Sequence, residues 1–433
     1  MSWLSAIRDY ITGAKTQASQ NIALNSIRID GTLTTTQPGG PSSFPPLMAL
    51  RTAVNNVISG TADAYMCLRG DSTTVGYQAG NTPAGYTAAY VNSYPLVLAT
   101  QLTTSLGIQV NTDALIGDRN LFENAVTNYN TYDSRVNTPG GWNLATTGNF
   151  SLGGNPFINQ TTTDAFTYTP TLPFNALDIF YNTTNAGGGA ANVNVNGVQV
   201  GTFSCAAAPS MARLTITGLT LQSQAISIVP TSNSVFVAAI VPRNTSIKQL
   251  YLHVIASASA IANQETGTYG LSQFYTASGY PYCAGIISFG TNEANSGGAV
   301  GPSLFEANLT FEYQALQAQS YATPSAAPVN SVATGCDIIF STGPPINPAQ
   351  SGGADAAIQD RLYNSMADLN PAMFPFLNQR YAVGATYVAA VANGYMENTD
   401  NFHYIKKGYA FWGQRLNSLI QDGIWMANKQ ILY

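Results

Sequence analysis

Only two histidines occur among the 433 residues, His253 and His403, and they bound the acid–base chemistry open to the chain. A serine hydroxyl becomes a useful nucleophile when a neighbouring base removes its proton. In Asp400-Asn401-Phe402-His403 a carboxylate precedes an imidazole by three residues, so both can lie on one side of a turn. Asp400 then accepts a hydrogen bond from Nδ1 and leaves Nε2 facing a nucleophile. His253, inside the apolar run 250–255, reads as a strand histidine and is the weaker candidate base. The nucleophile is expected at Ser72, in Gly70-Asp71-Ser72, directly after the apolar run 64–68. A serine opening a turn or helix there presents its hydroxyl outward and its N–H toward a developing oxyanion. A second donor is offered by Asn292, in Gly290-Thr291-Asn292-Glu293, directly after the run 286–289. Each of these signals is weak alone: Gly-Asp-Ser is commonly a turn, an asparagine after a strand a cap, and Asp-x-x-His surface decoration. Their order, each at the end of an expected element, gives them weight.

These groups need elements that bring them together. Residues 64–68, 250–255, 284–289 and 336–340 read as buried strands, with 387–391 a weaker one. Residues 95–106 predict a helix, with Pro95 near its start, Leu96, Ala99, Leu102 and Leu106 along one side and Gly107 as its stop. Another is expected around 354–369, with Ile358, Leu362, Met366 and Leu369 on one face, and a last one over about 408–421, with Tyr409, Trp412, Leu416 and Leu419. Strands alternating with helices imply a parallel sheet covered on both faces, and functional loops collect at the carboxyl ends of its strands. From 133 to 244 the pattern changes to short β-rich runs, among them Val193-Asn194-Val195-Asn196-Gly197-Val198-Gln199-Val200, alternating valines around an Asn-Gly hairpin turn. This segment is expected to be an all-β sandwich inserted into an α/β domain made of 47–132 plus 245–433. Residues 1–46 read as an N-terminal tail and a Pro/Gly/Ser/Thr linker.

Composition narrows the partners. Charged residues make up 9% of the chain, against about 25% in an average soluble domain, so Thr, Ser, Asn, Gln, Gly and Tyr must cover its surface. A net charge of -5 without a basic stripe argues against nucleic acid, whose binding rests on Lys and Arg neutralising phosphates. A neutral ligand such as a polysaccharide fits better. No apolar run approaches membrane-spanning length, and the first ten residues lack the basic and apolar regions of a signal peptide. An extracellular, cell-surface or virion-associated location is expected from the neutral polar surface. Cys67, Cys205, Cys283 and Cys336 are scattered and expected to be free core thiols, and two histidines build no convincing zinc site.

Taken in order, the segments resemble the blocks of the GDSL/SGNH hydrolases: Gly-Asp-Ser after the first strand, an oxyanion glycine after the second, Gly-x-Asn-Asp after the third, and Asp-x-x-His near the C-terminus. Gly70-Asp71-Ser72, Gly290-Thr291-Asn292-Glu293 and Asp400-Asn401-Phe402-His403 carry the resemblance, which spans roughly 60–110 and 248–421. Glu293 stands where the family has aspartate, a change given no weight here because that aspartate does not react. The resemblance implies a three-layer α/β/α flavodoxin-like sheet, a Ser72, Asp400, His403 triad, and an oxyanion hole including the Ser72 N–H and the Asn292 amide. The second block is ambiguous. Ser259, in Ala256-Ser257-Ala258-Ser259-Ala260, is preferred because it follows a proper strand; Gly117, in Ala114-Leu115-Ile116-Gly117-Asp118, is the alternative. A serine takes positive φ less freely than glycine. The expected activity is hydrolysis of an ester, first of O-acetyl groups on a polysaccharide, without metal or organic cofactor. A carbohydrate-binding virion or surface protein with a weak or inactive hydrolase site is the competing expectation, and an acyltransferase using the same triad stays open.

Overall fold

The computed structural model describes residues 47–429 except 81–87, 118–126, 145–155, 160–163, 186, 233, 263–269, 296–300, 318–335, 348–358, 360, 365–375, 378, 385 and 398–401. In chain order the strands are β1 (Ala64–Gly70), β2 (Val110–Asn111), β3 (Leu115–Ile116), β4 (Val136–Asn137), β5 (Trp142–Leu144), β6 (Phe157–Asn159), β7 (Phe166–Tyr168), β8 (Ala176–Thr183) and β9 (Ala190–Val195). They continue with β10 (Val198–Ser204), β11 (Ser210–Ile216), β12 (Ile226–Pro230), β13 (Val235–Arg243), β14 (Leu250–Ala256), β15 (Tyr282–Ser288), β16 (Asp337–Ser341) and β17 (Phe376–Leu377).

Six of these form a parallel sheet in the order β17-β16-β15-β1-β14-β2. All seven residues of β1 are buried, which a parallel strand covered on both faces requires and which explains the apolar run from Ala64 to Leu68. Alternate side chains serve two cores. Ala64, Met66 and Leu68 pack with Leu50, Val54, Leu98, Leu102, Trp412 and Leu416, from helices Met48–Ile58, Tyr94–Leu106 and Lys406–Lys429. Tyr65 and Cys67 pack on the other side with Phe274, Tyr275, Phe305 and Leu309, from helices Leu271–Ser278 and Pro302–Gln317. β14, a strand expected from sequence, pairs with β1 from Ala64↔Leu250 to Gly70↔Ala256.

The strands between 136 and 243 do not extend this sheet. They form two antiparallel sheets, β10-β9-β12-β7-β4 and β11-β8-β13-β6-β5. Asn196 and Gly197, with φ of 51° and 79°, make the β9–β10 turn. Leu177, Ile179 and Val237 face Val193 and Ile228 of the other antiparallel sheet in a shared core. The opposite face of β8, β11 and β13 presents Phe180, Met211 and Val241 to Phe274 and Tyr280, so it packs against the α/β part. Buried Asp178 anchors this seam, accepting from Arg213, Arg243, Thr215 and the Tyr280 hydroxyl. Burial alone would raise its pKa, but the Tyr280 hydrogen bond and the two guanidiniums hold it below the ordinary value. β3, which the sequence reading leaves in the α/β part, pairs with β13.

Residues 387–391, expected as a strand, are instead part of the helix Tyr387–Ala392. Thr386 caps it by accepting from the Ala389 N–H, Asn393 and Gly394 end it, and burial at Tyr387 and Ala390 follows a helical period. The helix expected around 354–369 lies mostly outside the described residues, although 359 and 361–364 are helical, and the tail and linker of 1–46 lie wholly outside. All four cysteines are buried, and none forms a disulfide.

His253 is fully buried in β14, its Nδ1 2.7 Å from the Tyr282 hydroxyl and its ring edge-on to Tyr65 and Tyr280. Burial lowers its pKa to about 3. The unfolded chain, with an ordinary histidine, therefore binds one more proton between about pH 6.5 and 3, and stability supplied by neutral His253 is lost as pH falls through that window. Relative to His253→Gln, the wild type should lose roughly 1.4 kcal/mol per pH unit below pH 6 in urea unfolding. Parallel pH profiles for the two proteins would refute this.

Candidate active site

Parallel pairing on both sides of β1 sets the site. Gly70 lies in register with Ala256 of β14 and with Ser288 of β15, so three carboxyl ends stop at one level. A Cβ on Gly70 would sit 2.0 Å from Thr74 Oγ1 and 2.6 Å from the Ser288 carbonyl oxygen, which is why this exit from the strand has no side chain. Behind it, buried Arg69 forms a two-pronged ion pair with Glu312, at 2.9 Å for each contact, and donates to the Ile255 carbonyl at 2.8 Å. One side chain thus ties β1, β14 and the helix Pro302–Gln317 together just below the site.

The chain after Gly70 turns at once into the helix Ser72–Val75. Asp71 is its N-cap, its Oδ1 accepting from the Thr73 N–H at 2.8 Å and the Thr73 hydroxyl at 2.7 Å. Burial pushes the Asp71 carboxyl above its ordinary pKa. Capping leaves Ser72 as the first helical residue, and an N–H at that position has no acceptor within its own helix. Ser72 Oγ lies 2.7 Å from His403 Nε2, although 331 positions separate the two residues. With the ring proton on Nδ1, the hydroxyl donates to Nε2. Asp400, the expected partner of Nδ1, lies outside the described residues.

His403 is held from both sides. Tyr404 bridges to Met396, the Ile405 N–H donates to the Tyr395 carbonyl, and the helix Lys406–Lys429 begins directly after. That helix buries Tyr409, Trp412, Leu416 and Leu419, the residues its period selected. The Tyr409 hydroxyl donates to the Tyr77 carbonyl at 2.8 Å, and the Tyr77 ring packs on the His403 ring at a centroid distance of 4.5 Å. Tyr77 belongs to no motif, and its place against the imidazole had no sequence signal.

The loop after β14 continues the pairing, with the Ser257 N–H on the Gly70 carbonyl, and closes a turn from the Ala260 N–H to the Ser257 carbonyl. Within it Ser259 takes φ of 60°, the left-handed conformation that a glycine would adopt without strain. Asn292 Nδ2 donates to the Ala260 carbonyl at 2.8 Å, which brings the third-block asparagine against this loop and leaves its second amide hydrogen for another acceptor. Gly117 belongs elsewhere: its N–H donates to the Ala238 carbonyl beside the β3–β13 pairing. Glu293, given no weight in the sequence reading, is fully buried. Its Oε1 accepts from the Ala262 N–H at 2.7 Å and its Oε2 from the Gly290 N–H at 2.9 Å. Gly290 has φ of 116° and rests on the Tyr363 ring. Among the described residues there is no cluster of His, Cys, Asp and Glu able to hold a metal, and no helix long and apolar enough to cross a membrane.

No family model matches the chain, and no curated protein matches it in sequence. Among solved structures it is similar to a peptidoglycan O-acetylesterase, at 15% identity and a TM-score of 0.61 over 87% of this chain and 96% of that one. It is also similar to a family two carbohydrate esterase from Clostridium thermocellum, at 11% identity and a TM-score of 0.27 over 66% of this chain and 98% of that one. An aryl esterase of M. smegmatis matches at 14% identity and a TM-score of 0.29 over 40% of this chain and 79% of that one. The first of these shows a shared fold: a mixed α/β architecture with one parallel sheet and further antiparallel sheets.

Gly70→Ala tests the crowding at the end of β1. The added methyl must displace Thr74 or the β15 backbone, and the expected loss is about 1–3 kcal/mol in denaturant unfolding. A variant as stable as the wild type would show that this close approach is not needed.

Proposed function

We propose that the chain is a serine esterase that removes O-acetyl groups from a polysaccharide. The observation that carries this reading is the 2.7 Å contact between Ser72 Oγ and His403 Nε2. In the proposed reaction His403 takes the hydroxyl proton as Ser72 Oγ attacks the acyl carbon, and Asp400 orients the imidazole and stabilises its charged form. The N–H groups of Ser72 and Ser259 and the second amide hydrogen of Asn292 hold the oxyanion. His403 returns the proton to the leaving sugar oxygen. The same base then activates water, which releases acetate and frees Ser72. The chemistry needs no metal or organic cofactor.

The polysaccharide part of the proposal rests on the low charge of the chain and its neutral polar surface. In the same reading the strands between 133 and 244 are an inserted sandwich that places the acylated chain near the site, and the protein works outside the cell or on a virion. The test is acetate release from acetylated polysaccharides, peptidoglycan first because the similar O-acetylesterase is named for it. Ser72→Ala should lower the rate by about 10⁴-fold or more. Equal rates for the wild type and this variant would end the esterase reading.

Ser259 gives a separate expectation. Ser259→Gly should keep kcat or raise it, because glycine takes the same φ without strain. Ser259→Pro removes the N–H and forbids that φ, and should lower kcat by about 10²–10³-fold. If Ser259→Pro retains full kcat, the oxyanion donor lies elsewhere.

A further inference from the structure

The turn after β15 does more than present Asn292. Glu293 is the third residue of the short helix Thr291–Asn295, and a glutamate there ordinarily reaches back to the N–H of the residue before the helix. Its Oε2 does so, accepting from Gly290 at 2.9 Å. Local capping does not account for Oε1. That oxygen accepts from the Ala262 N–H at 2.7 Å, across a sequence gap of 31 residues, at the far end of the loop that holds Ser259. A carboxyl group so placed is costly to bury, and burial raises its pKa to about 7, so the site keeps it at an energetic disadvantage. The loop it grips holds Ser259 at φ of 60°, a conformation that strains a non-glycine residue and persists only where its surroundings enforce it.

We infer that Glu293 is the positioning residue of the oxyanion loop: through Oε1 it holds residues 257–262 in the strained turn that aims the Ser259 N–H at the acyl oxygen. Asn292 grips the same loop at Ala260, so one turn holds it at two points, with Glu293 at its end. An aspartate at 293 is shorter by one methylene, about 1.5 Å, too short to cap Gly290 and reach Ala262 at once. Glutamate at this position is therefore matched to a loop that carries serine where glycine would hold its shape unaided. The assignment rests on the esterase reading for its catalytic meaning, while the clamp itself is a structural claim.

The experiment uses the full chain as wild type, Glu293→Gln and Glu293→Asp, with Ser72→Ala as control. Amide hydrogen exchange is followed over residues 257–262 and over β1, and kcat and KM are measured on 4-nitrophenyl acetate. In Glu293→Gln the amide nitrogen replaces one of two acceptors; in Glu293→Asp the side chain no longer makes both contacts at once. Both variants should exchange at least tenfold faster over 257–262 with β1 unchanged. Both should lose about tenfold or more in kcat with KM within twofold. Ser259→Gly in the Glu293→Asp background should recover part of kcat, a rescue that a merely structural role would not give. Loop exchange and kcat within twofold of the wild type in Glu293→Asp would overturn the inference, and this variant decides should Glu293→Gln fail to fold. A wild type with no Ser72-dependent hydrolysis would defeat the esterase reading alone, because loop exchange still decides whether Glu293 is the clamp.

Discussion

The register of β1 between its two neighbours is the constraint on which the site depends. Gly70 stands opposite Ala256 and Ser288 at once, so the loops that bear Ser72, Ser259 and Asn292 leave the sheet from one level. Each then needs only two to four residues to bring its polar group inward, too short a path to wander. A slip of one residue in either pairing would turn alternate side chains to the opposite face and separate these groups. His403 arrives differently, at the head of a long helix whose buried Trp412 stacks on Tyr94 and whose Tyr409 holds the carbonyl of Tyr77. A sheet fixes one half of the site and a helix the other, and the Ser72–His403 contact is where they meet.

Beneath that level the interior is unexpectedly polar. Arg69 and Glu312 are each about 1% exposed, and a buried ion pair adds little net stability once desolvation is counted. What the pair supplies is position: the guanidinium reaches the carboxylate on one helix and the Ile255 carbonyl of the adjoining strand at the same time. Glu293 follows the same logic between the turn after β15 and the loop after β14. Both side chains bridge elements that apolar contacts alone would let slide.

Much of this was legible in the sequence, for identifiable reasons. β1, β14, β15 and β16 are buried almost throughout, so each is a largely apolar run, broken by Arg69 in β1 and His253 in β14, that stands out from a polar chain. Ser72, Asn292 and His403 could be placed because each follows or precedes such an element at a fixed offset. The helices Met48–Ile58 and Pro302–Gln317 carry a weaker signal: one follows a Pro/Gly-rich stretch, and the other buries Asn308 and Glu312 among its apolar residues, which dilutes the period. Val388 and Val391 made 387–391 look like a strand, whereas a capping threonine and tertiary packing make it helical. Glu293 does not react and so carries no motif signal; its grip depends on the Ala262 N–H, 31 positions away, which only the fold brings to it.

The packing of Phe180, Met211 and Val241 against Phe274 and Tyr280 bears on how the molecule can be divided. A tethered accessory module keeps its own closed core and can be cut away or exchanged between proteins. Here one antiparallel sheet is sandwiched itself, sharing one face with its sister sheet and the other with the α/β part, and Arg213 and Arg243 meet Asp178 at that junction. Excision would bare aromatic side chains on both fragments and strand an acidic group among them. The two parts are therefore expected to melt as one calorimetric unit, each closing over a surface that the other cannot cover alone.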